Sequence, residues 1–255
     1  MKIGLFGFGK TGKAVANVIL QHEEFILEWV YRQSNILEGR SVPEFLGVQS
    51  DDPGTIYSSQ SISVEDLLRA QPVDMVIDFS SETGLSVYGE AAADAGIKII
   101  SAVSHYGESQ KAMLQKLAQR TVVFWSPNIT LGVNYLLFAA QFLKKIAPWV
   151  DIEINEEHFK EKKGTSGTAV KLAQALEITE NNINSVRAGG IVGKHEVIFG
   201  FPYQTVRLIH ESISREAFGS GVIFVAENLK TDQPGLYKFE DILLPYFSPQ
   251  QVIQE

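Results

Sequence analysis

A strand, a glycine-rich turn and a helix start follow one another at the N-terminus. The apolar run Lys2–Phe6 is followed at once by Gly7-Phe8-Gly9-Lys10-Thr11-Gly12, and then by the helical pattern Ala14, Val15, Val18 and Ile19. In this order the first glycine permits a tight turn, the second lets a pyrophosphate approach the backbone, and the third lets helix and strand pack closely. The pattern predicts a dinucleotide-binding domain in which residues 7–12 contact the cofactor.

The end of the second predicted strand, 25–31, bears on the choice of cofactor. An acidic residue there binds the ribose 2′-hydroxyl of NAD, whereas a cation suits the 2′-phosphate of NADP. Here the strand runs into Arg32, and no acid stands beside it. The sequence therefore favours NADPH, with NADH as the alternative if Arg32 covers the adenine or points to solvent.

Strands and helices alternate up to residue 127, which predicts a parallel, doubly wound sheet. The predicted strands 73–79, 97–101 and 121–125 are separated by predicted helices, while residues 36–60 carry no clear periodicity. Ligands of such sheets bind at the carboxyl ends of the strands. Further candidate cofactor contacts are therefore Phe79, Ser80 and Ser104.

The second half of the chain has a different pattern. Predicted strands at 186–191, 197–201 and 204–210 follow one another closely, with turns at 192–195 and 200–203. Such a succession forms a mixed or antiparallel sheet. We predict an α/β chain with a Rossmann domain at 1–127, completed by a return segment of about 232–255, and an α+β domain with a mixed sheet at 128–231.

Composition excludes several classes of function. The 255 residues are 45% hydrophobic and 20% charged, as in soluble globular proteins. The net charge of −8 gives no support for nucleic-acid binding. No cysteine is present and no histidine pair has metal-ligand spacing, so we expect no metal. We find no membrane-spanning run and no cleavable leader, and expect a cytoplasmic protein.

The stretch 153–169, E-I-N-E-E-H-F-K-E-K-K-G-T-S-G-T-A, combines several chemically useful groups. Ile154, Glu156 and His158 share one side of a predicted strand, so His158 emerges on the buried face where the strand ends. A loop that carries Lys162 and Lys163 follows. A histidine for proton transfer and a lysine as acid or cation would then lie close together.

A helix begins directly after this loop, at Ser166, Gly167 and Thr168. The N–H groups in the first turn of a helix attract a carboxylate or a phosphate. The whole stretch therefore predicts a site for an acidic small molecule. In the alternative interpretation, His158 is a satisfied core histidine, the lysines form a solvated face, and the serine only caps the helix.

Ordered motifs extend along nearly the whole chain. They are Gly7-x-Gly9-x-x-Gly12, Val76-Ile77-Asp78-Phe79-Ser80, Asn128-x-Thr130-x-Gly132-Val133, Glu153-Ile154-x-Glu156-x-His158, Ser166-Gly167-Thr168-Ala169, Arg187-Ala188-Gly189-Gly190-Ile191-Val192-Gly193-x-His195 and Arg215-x-x-Phe218-x-x-Gly221. In their order and spacing they resemble the dihydrodipicolinate reductase family, also called 4-hydroxy-tetrahydrodipicolinate reductases.

The resemblance implies an NAD(P)H-dependent oxidoreductase that reduces 4-hydroxy-tetrahydrodipicolinate to tetrahydrodipicolinate in lysine and diaminopimelate biosynthesis. It implies that His158 is an acid/base residue, that Lys162 is the proton donor, and that Ser166, Gly167 and Thr168 hold a substrate carboxylate. It places Ser104 and Asn128 near the nicotinamide and the substrate. It also implies a homotetramer built through the sheet of the second domain.

The chain departs from the family pattern at the site. Phe159 replaces a second histidine that helps to bind substrate, and Gly164-Thr165 replaces Asp-Ala-Pro with one residue deleted. In the nicotinamide loop, Val103-Ser104 replaces a threonine pair and His105 replaces a glycine.

Phe159 cannot bind a carboxylate by charge or hydrogen bond. Either a neighbour such as Lys160, Lys163 or Thr165 replaces the lost contact, or Phe159 is a core residue on the opposite strand face. These departures leave two alternatives to the reductase: a paralogous NAD(P)-dependent reductase of another small carboxylic or imino acid, and a dinucleotide-binding protein without catalysis.

Overall fold

The computed structural model describes residues 1–247, which fall into two compact units. The first comprises Met1–Ile129 and the chain from Phe218 onward, and the second comprises Thr130–Ala217. The predicted return segment began only at about residue 232, and its last part, 248–255, lies outside the described residues.

The described part of the chain forms eleven strands and nine α-helices, each numbered in chain order. The strands are β1 (Lys2–Phe6), β2 (Ile26–Arg32), β3 (Thr55–Ser58), β4 (Met75–Asp78), β5 (Lys98–Ser101), β6 (Val122–Trp125), β7 (Asp151–His158), β8 (Ile183–Arg187), β9 (Gly193–Phe201), β10 (Gln204–Ser212) and β11 (Gly235–Tyr237). The helices are α1 (Lys10–Leu20), α2 (Val42–Leu46), α3 (Val64–Ala70), α4 (Gly84–Asp94), α5 (Glu108–Leu117), α6 (Leu131–Ile146), α7 (Gly167–Ala175), α8 (Glu216–Asn228) and α9 (Phe239–Leu243). Short 3-10 helices span Glu180–Asn182 and Leu244–Phe247.

The first unit contains a seven-stranded sheet in the order β11-β6-β5-β4-β1-β2-β3. All of its neighbouring strands are parallel, and helices connect most of them. This confirms the predicted Rossmann fold. Strand β3 lies in the stretch predicted to be irregular. It has four residues, which is too short for an alternating pattern to stand out, and it is held by pairing with β2.

The elements from the end of the chain, among them β11 and α8, belong to the first unit. Strand β11 pairs with β6 at the edge of the parallel sheet. Helix α8, which the prediction assigned to the second domain, packs on α1: a Cβ added at Gly219 would lie 2.6 Å from the side chain of Val18. The chain therefore returns to the first unit earlier than predicted.

The second unit contains a four-stranded mixed sheet in the order β10-β9-β7-β8. Strands β7 and β8 are parallel, and the other two pairs are antiparallel. Burial alternates along β7, and its inward residues Ile152 and Ile154 pack with Leu136 of α6 and Leu172 of α7. The mixed sheet predicted from the sequence is confirmed.

Two local predictions in this sheet were wrong. The turn predicted at 192–195 is the start of β9, so His195 is a strand residue, and the strand predicted at 186–191 is β8, which ends at Arg187. Gly193 suggested a turn, but it pairs with Ser212 in a regular antiparallel register, and the turn lies at Gly189 and Gly190 instead. Within residues 1–247, no helix is both long enough and apolar enough to cross a membrane.

Candidate active site

In the first unit, the glycine-rich turn forms a backbone cradle at the start of α1. Gly7 has a φ of +92°, and a Cβ added there would lie 2.6 Å from the carbonyl oxygen of Phe79. A Cβ at Gly12 would collide with the carbonyl oxygen of Gly7, whereas one at Gly9 would meet nothing within 4 Å. The backbone at Gly7 and Gly12 is thus packed tightly against other backbone atoms, whereas the space beside Gly9 is free.

This cradle fits the pyrophosphate of a dinucleotide. Gly9 is the N-cap residue of α1 and has no side chain to cap the helix, and Lys10 and Thr11 stand in the first turn. The N-terminus of a helix with these residues in its first turn attracts a phosphate group. The Gly7 amide donates to the carbonyl of Tyr31 at 2.9 Å, so the end of β2 lies beside the glycine-rich turn. Arg32, the last residue of β2, is therefore at the same edge of the sheet, where it is half-buried.

A buried acid supports the loop after β4. Asp78 accepts hydrogen bonds from the amide and hydroxyl of Ser80, at 2.8 and 2.6 Å, and from the hydroxyl of Tyr88 at 2.9 Å. Burial raises the pKa of Asp78, and these hydrogen bonds oppose the rise. Tyr106, 3.4 Å from the same carboxylate, extends the contact to the loop after β5.

The remaining predicted residues of the first unit lie near strand ends. Phe79 is half-buried and Ser80 is exposed, both directly after β4. Ser104 is exposed after β5, and its hydroxyl lies 2.9 Å from Nδ1 of His105. The carbonyl of Asn128 accepts from the hydroxyl of Ser126 at 2.6 Å, after β6.

In the second unit, the fully buried carboxylate of Glu156 is the centre of a polar cluster. Its Oε2 lies 2.5 Å from Nδ1 of His158 and 2.9 Å from a guanidinium nitrogen of Arg187. Its Oε1 accepts from the hydroxyl of Ser185 at 2.6 Å, from the amide of Ser166 at 3.2 Å, and from a second nitrogen of Arg187. Burial alone would raise the pKa of Glu156, but these donors lower it to about 2. The carboxylate is therefore ionised at neutral pH.

An ionised carboxylate only accepts hydrogen bonds, which determines the tautomer of His158. Nδ1 must carry the proton that Glu156 accepts, so in the neutral ring the lone pair is on Nε2. Nε2 lies beside Gly193, 3.0 Å from the position of a Cβ added there. Burial lowers the pKa of His158, and the hydrogen bond to Glu156 opposes the change. His158 therefore presents a basic nitrogen on the inner face of the sheet.

A second histidine lies next to the first. The ring centroids of His158 and His195 are 5.2 Å apart, and Nε2 of His195 lies 2.8 Å from the hydroxyl of Ser166. Ser166 is the N-cap residue of α7, but its side chain does not cap the helix. Its hydroxyl faces His195 instead, and a Cβ added at the neighbouring Gly167 would meet nothing within 4 Å.

The loop between β7 and α7 places one lysine inward. Lys162 is half-buried, whereas Lys160 and Lys163 are exposed. Burial is the main cause that lowers the pKa of His158 and of His195, and the nearby charge of Lys162 lowers both further. The structure therefore brings His158, Lys162 and Ser166 together at the start of α7. Thr168 is half-buried in the first turn, while Lys163 is turned to solvent.

Phe159 is 40% exposed directly after the end of β7, so the interpretation that it is a core residue was wrong. The strand ends at His158, and the alternation that would bury the opposite face ends with it. A large apolar side chain thus lies on the surface beside the polar cluster.

Sequence reasoning assigned no role to Glu156, Arg187 and His195, although all three stand in the motifs. The spacing of Glu156 two residues before His158 was a usable signal, because strand residues i and i+2 share a face. The partnership with Arg187 requires the parallel pairing of β7 with β8, which no local pattern reveals. Within residues 1–247, no group of three or more His, Cys, Asp or Glu side chains is arranged to hold a metal ion.

Two family models cover the chain almost end to end. The model for the N-terminus of dihydrodipicolinate reductase matches residues 1–129, and the model for its C-terminus matches residues 129–243. The chain belongs to the dihydrodipicolinate reductase family. It is accordingly an NAD(P)H-dependent oxidoreductase, as predicted.

Relatives from other organisms agree with this family. The 4-hydroxy-tetrahydrodipicolinate reductase of Caldanaerobacter subterraneus subsp. tengcongensis is 30% identical over 92% of this chain and 94% of its own length. That of Oleidesulfovibrio alaskensis is also 30% identical, over 92% of this chain and 96% of its own. Together with the family models, these relatives confirm the predicted role in lysine and diaminopimelate biosynthesis.

Solved structures share the fold. A dipicolinate-bound dihydrodipicolinate reductase from Paenisporosarcina sp. TG-14 superposes with a TM-score of 0.79 at 21% identity, over 95% of this chain and 99% of that one. A probable dehydrogenase from Thermotoga maritima reaches a TM-score of 0.67 at 12% identity, over 99% and 96% of the two chains. At these identities the likeness concerns the fold alone.

Proposed function

We propose that the protein reduces 4-hydroxy-tetrahydrodipicolinate to tetrahydrodipicolinate, with His158, Lys162 and the start of α7 as the substrate site. The observation that carries this proposal is the cluster around Glu156. It presents a basic histidine nitrogen, a half-buried lysine and a serine hydroxyl beside one helix start. These groups suit a substrate that has carboxylates to be held and a carbon that must receive a proton.

The overall reaction removes the 4-hydroxyl group as water and adds one hydride and one proton to the resulting conjugated imine. When bound, the nicotinamide cofactor supplies the hydride. Lys162 donates the proton to the neighbouring carbon. Its charge also stabilises the negative charge that develops on the substrate. Nε2 of His158 exchanges a proton with Lys162 or with the substrate between turnovers.

The start of α7 holds a substrate carboxylate. Ser166 offers its hydroxyl, and Gly167 and Thr168 stand in the first turn of the helix, where the dipole favours an anion. Open space beside Gly167 leaves room for the ligand. Lys163 is exposed in the adjoining loop and supplies a second, more mobile charge to the other carboxylate.

We propose NADPH as the preferred cofactor, on the basis of Arg32 at the end of β2. Residues 7–12 bind the pyrophosphate, and Arg32 binds the 2′-phosphate. Phe79, Ser80, Ser104 and Asn128 then contact the remainder of the cofactor from the loops after β4, β5 and β6. The cytoplasmic location predicted from the sequence stays a prediction.

A homotetramer built through the second unit's sheet is also proposed. The strand pairing places Val186 of β8 and Ile209 of β10 on the sheet face opposite to Ile154 and Val197, and they are 47% and 56% exposed. Apolar side chains at these positions suit a surface that another subunit covers.

The test is a coupled assay in which the substrate is generated freshly and turnover is measured with NADPH and with NADH. We expect consumption of either cofactor that depends on the substrate, with the lower KM for NADPH. Exposed Phe159 favours a second candidate, a reductase of another small carboxylic or imino acid. That candidate is supported if the expected substrate gives no turnover while a panel of related imino acids does. Cofactor binding without turnover of any of them would indicate a non-catalytic protein.

A further inference from the structure

Every member of the polar cluster in the second unit is connected to Glu156, directly or through Arg187. Glu156 contacts His158 of β7, Ser185 and Arg187 of β8, and the amide of Ser166 at the start of α7. One buried carboxylate therefore links two strands of the sheet to the helix start that is proposed to hold the substrate.

Arg187 extends the cluster into the lysine loop. Its guanidinium group is bidentate on Glu156, donates to the carbonyl of Lys162 at 3.1 Å, and donates to the carbonyl of Gly164 at 2.7 Å. Bidentate pairing fixes the plane of the guanidinium group. The two carbonyls on either side of Lys163 are thus held to the edge of the sheet by a rigid group.

We propose that Glu156 and Arg187 are the positioning residues of this active site: Glu156 fixes the tautomer of His158 and the start of α7, and Arg187 fixes the loop that carries Lys162. The proposal rests on the proposed function, since it concerns the same residues. Neither side chain needs to touch the substrate for this role. Each acts through a group that does.

The architecture of the loop explains why such anchoring is needed. Lys162 stands in a segment of seven residues, 159–165, that contains no helix or strand, and Gly164 in it has a φ of +65°. By the family resemblance, this chain also lacks the Asp-Ala-Pro segment at this point. Among the described residues, two other backbone hydrogen bonds hold this loop. The Lys162 amide donates to the Phe159 carbonyl at 3.1 Å, and the Lys160 amide donates to the Gly189 carbonyl at 3.1 Å.

The ion pair between Glu156 and Arg187 is poorly explained by a contribution to stability alone. The free-energy cost of removing a carboxylate and a guanidinium group from water offsets much of their electrostatic attraction. Apolar residues of similar size often stabilise a core equally well. Here the donors to Glu156 other than Ser185 and Arg187 come from His158 and Ser166. The arrangement is specific to the chemistry proposed for the site.

The first test needs no variant. Nitrogen-15 NMR of the histidines distinguishes the two neutral tautomers, and the charges that face His158 are those of Glu156, Lys162 and Arg187, with His195 adjoining. We expect the neutral ring of His158 to carry its proton on Nδ1. A spectrum in which the neutral ring carries it on Nε2 would overturn the role given to Glu156.

The second test compares variants with matched controls. Glu156→Gln and Arg187→Lys are set against Glu180→Gln, an exposed carboxylate of the second unit, and Arg69→Lys, an exposed arginine paired with Asp66 at 3.1 Å. A displacement of a reacting group by about 1 Å can cost roughly a hundredfold in rate. We expect the two site variants to lose about that much kcat, to shift the pH profile of kcat/KM, and to bind NADPH normally. The controls should match the parent.

Each outcome decides the proposal. Site variants that behave like their controls would overturn it, and so would a folded Arg187→Lys that loses NADPH binding to the same extent as kcat. If Glu156→Gln does not fold, Arg187→Lys, which keeps the charge but not the planar fork, carries the kinetic test. If the parent enzyme fails to turn over the expected substrate, the proposed function fails, while the tautomer of His158 still decides the positioning role.

Discussion

The hydroxyl of Ser166 and Nε2 of His195 lie 2.8 Å apart at the start of α7. Burial, with added repulsion from His158 and His210, lowers the pKa of His195 to about 3, so its ring is neutral at physiological pH. Its buried Nδ1 has no hydrogen-bond partner among the described residues. A buried N–H without a partner is rarer than a bare acceptor. The ring proton therefore belongs on Nε2, and the hydrogen of Ser166 is left to donate to a bound anion.

The first prediction concerns this hydrogen bond. In His195→Phe the hydroxyl of Ser166 loses its fixed orientation, and a single neutral hydrogen bond is worth about 1 kcal/mol. We expect KM for the dicarboxylate substrate to rise about fivefold to tenfold, with a smaller change in kcat. Steady-state kinetics measure both values.

A double-mutant cycle provides the control. Once His195 has been replaced, Ser166→Ala should add less to KM than it does in the parent, because the two residues act as one unit. Strict additivity of the two effects would contradict the prediction.

The second prediction separates the two adjacent lysines. Lys162 is half-buried and its charge acts on both histidines, whereas Lys163 is exposed. Loss of a positioned proton donor typically costs about a hundredfold or more in rate. Lys162→Ala should lower kcat by that factor and leave the Kd for NADPH unchanged, while Lys163→Ala should mainly raise KM. A large loss of kcat in Lys163→Ala instead would show that the proton donor was assigned to the wrong lysine.

The third prediction concerns the cofactor. A charge-assisted hydrogen bond to the 2′-phosphate is worth about 1.5 to 3 kcal/mol. Arg32→Ala should therefore raise the Kd for NADPH by roughly tenfold to a hundredfold and leave the Kd for NADH unchanged. Arg69→Ala is the matched control, since Arg69 is exposed and paired with Asp66 on α3. Equal Kd values for the two cofactors in the parent would remove the basis for an NADPH preference.

The fourth prediction concerns Phe159, which is exposed directly after His158. Because Phe159 is not part of the core, Phe159→His should fold with little change in Tm. A histidine there adds a donor for a carboxylate, so KM for the substrate should fall. Phe159→Leu, which keeps an apolar side chain, is the control and should leave KM near the parent value. An unchanged KM in Phe159→His would mean that the side chain does not reach the substrate.

The two halves of the chain differed in how far their sequence predicted their structure. The parallel sheet was predictable because its signal is local: a glycine turn between strand and helix, repeated by alternation along the chain. The position of His158 was predictable for the same reason, since strand β7 alternates regularly and places Glu156 and His158 on its buried side.

The rest of the site depends on pairing between distant segments. The contact between Arg187 and Glu156 exists because β8 runs parallel to β7, and the contact between His195 and Ser166 exists because β9 pairs with β7 and begins at Gly193. The sequence indicated a turn at 192–195, around Gly193, whereas the structure turns at Gly189 and Gly190 and pairs Gly193 with Ser212. Sheet pairing overrode that local preference, as it does for β-structure generally.

The final prediction concerns the pH dependence of stability. Hydrogen bonds and ion pairing hold the pKa of Glu156 at about 2 in the folded protein, below the ordinary value of 4.5. A group whose pKa is lowered by folding stabilises the protein above its unfolded pKa, and the contribution is lost as pH falls through the folded pKa.

Glu156→Gln should therefore lower the free energy of unfolding at pH 7 by about 3 to 5 kcal/mol, as expected when one partner of a buried ion pair is removed. Between pH 4.5 and about 2, the difference between parent and variant should narrow. Glu180→Gln, which changes an exposed carboxylate of the second unit, should differ little from the parent at any pH. Urea titrations at several pH values measure these differences, and a gap that stays constant down to pH 2 would show that the charge of Glu156 is not what stabilises the cluster.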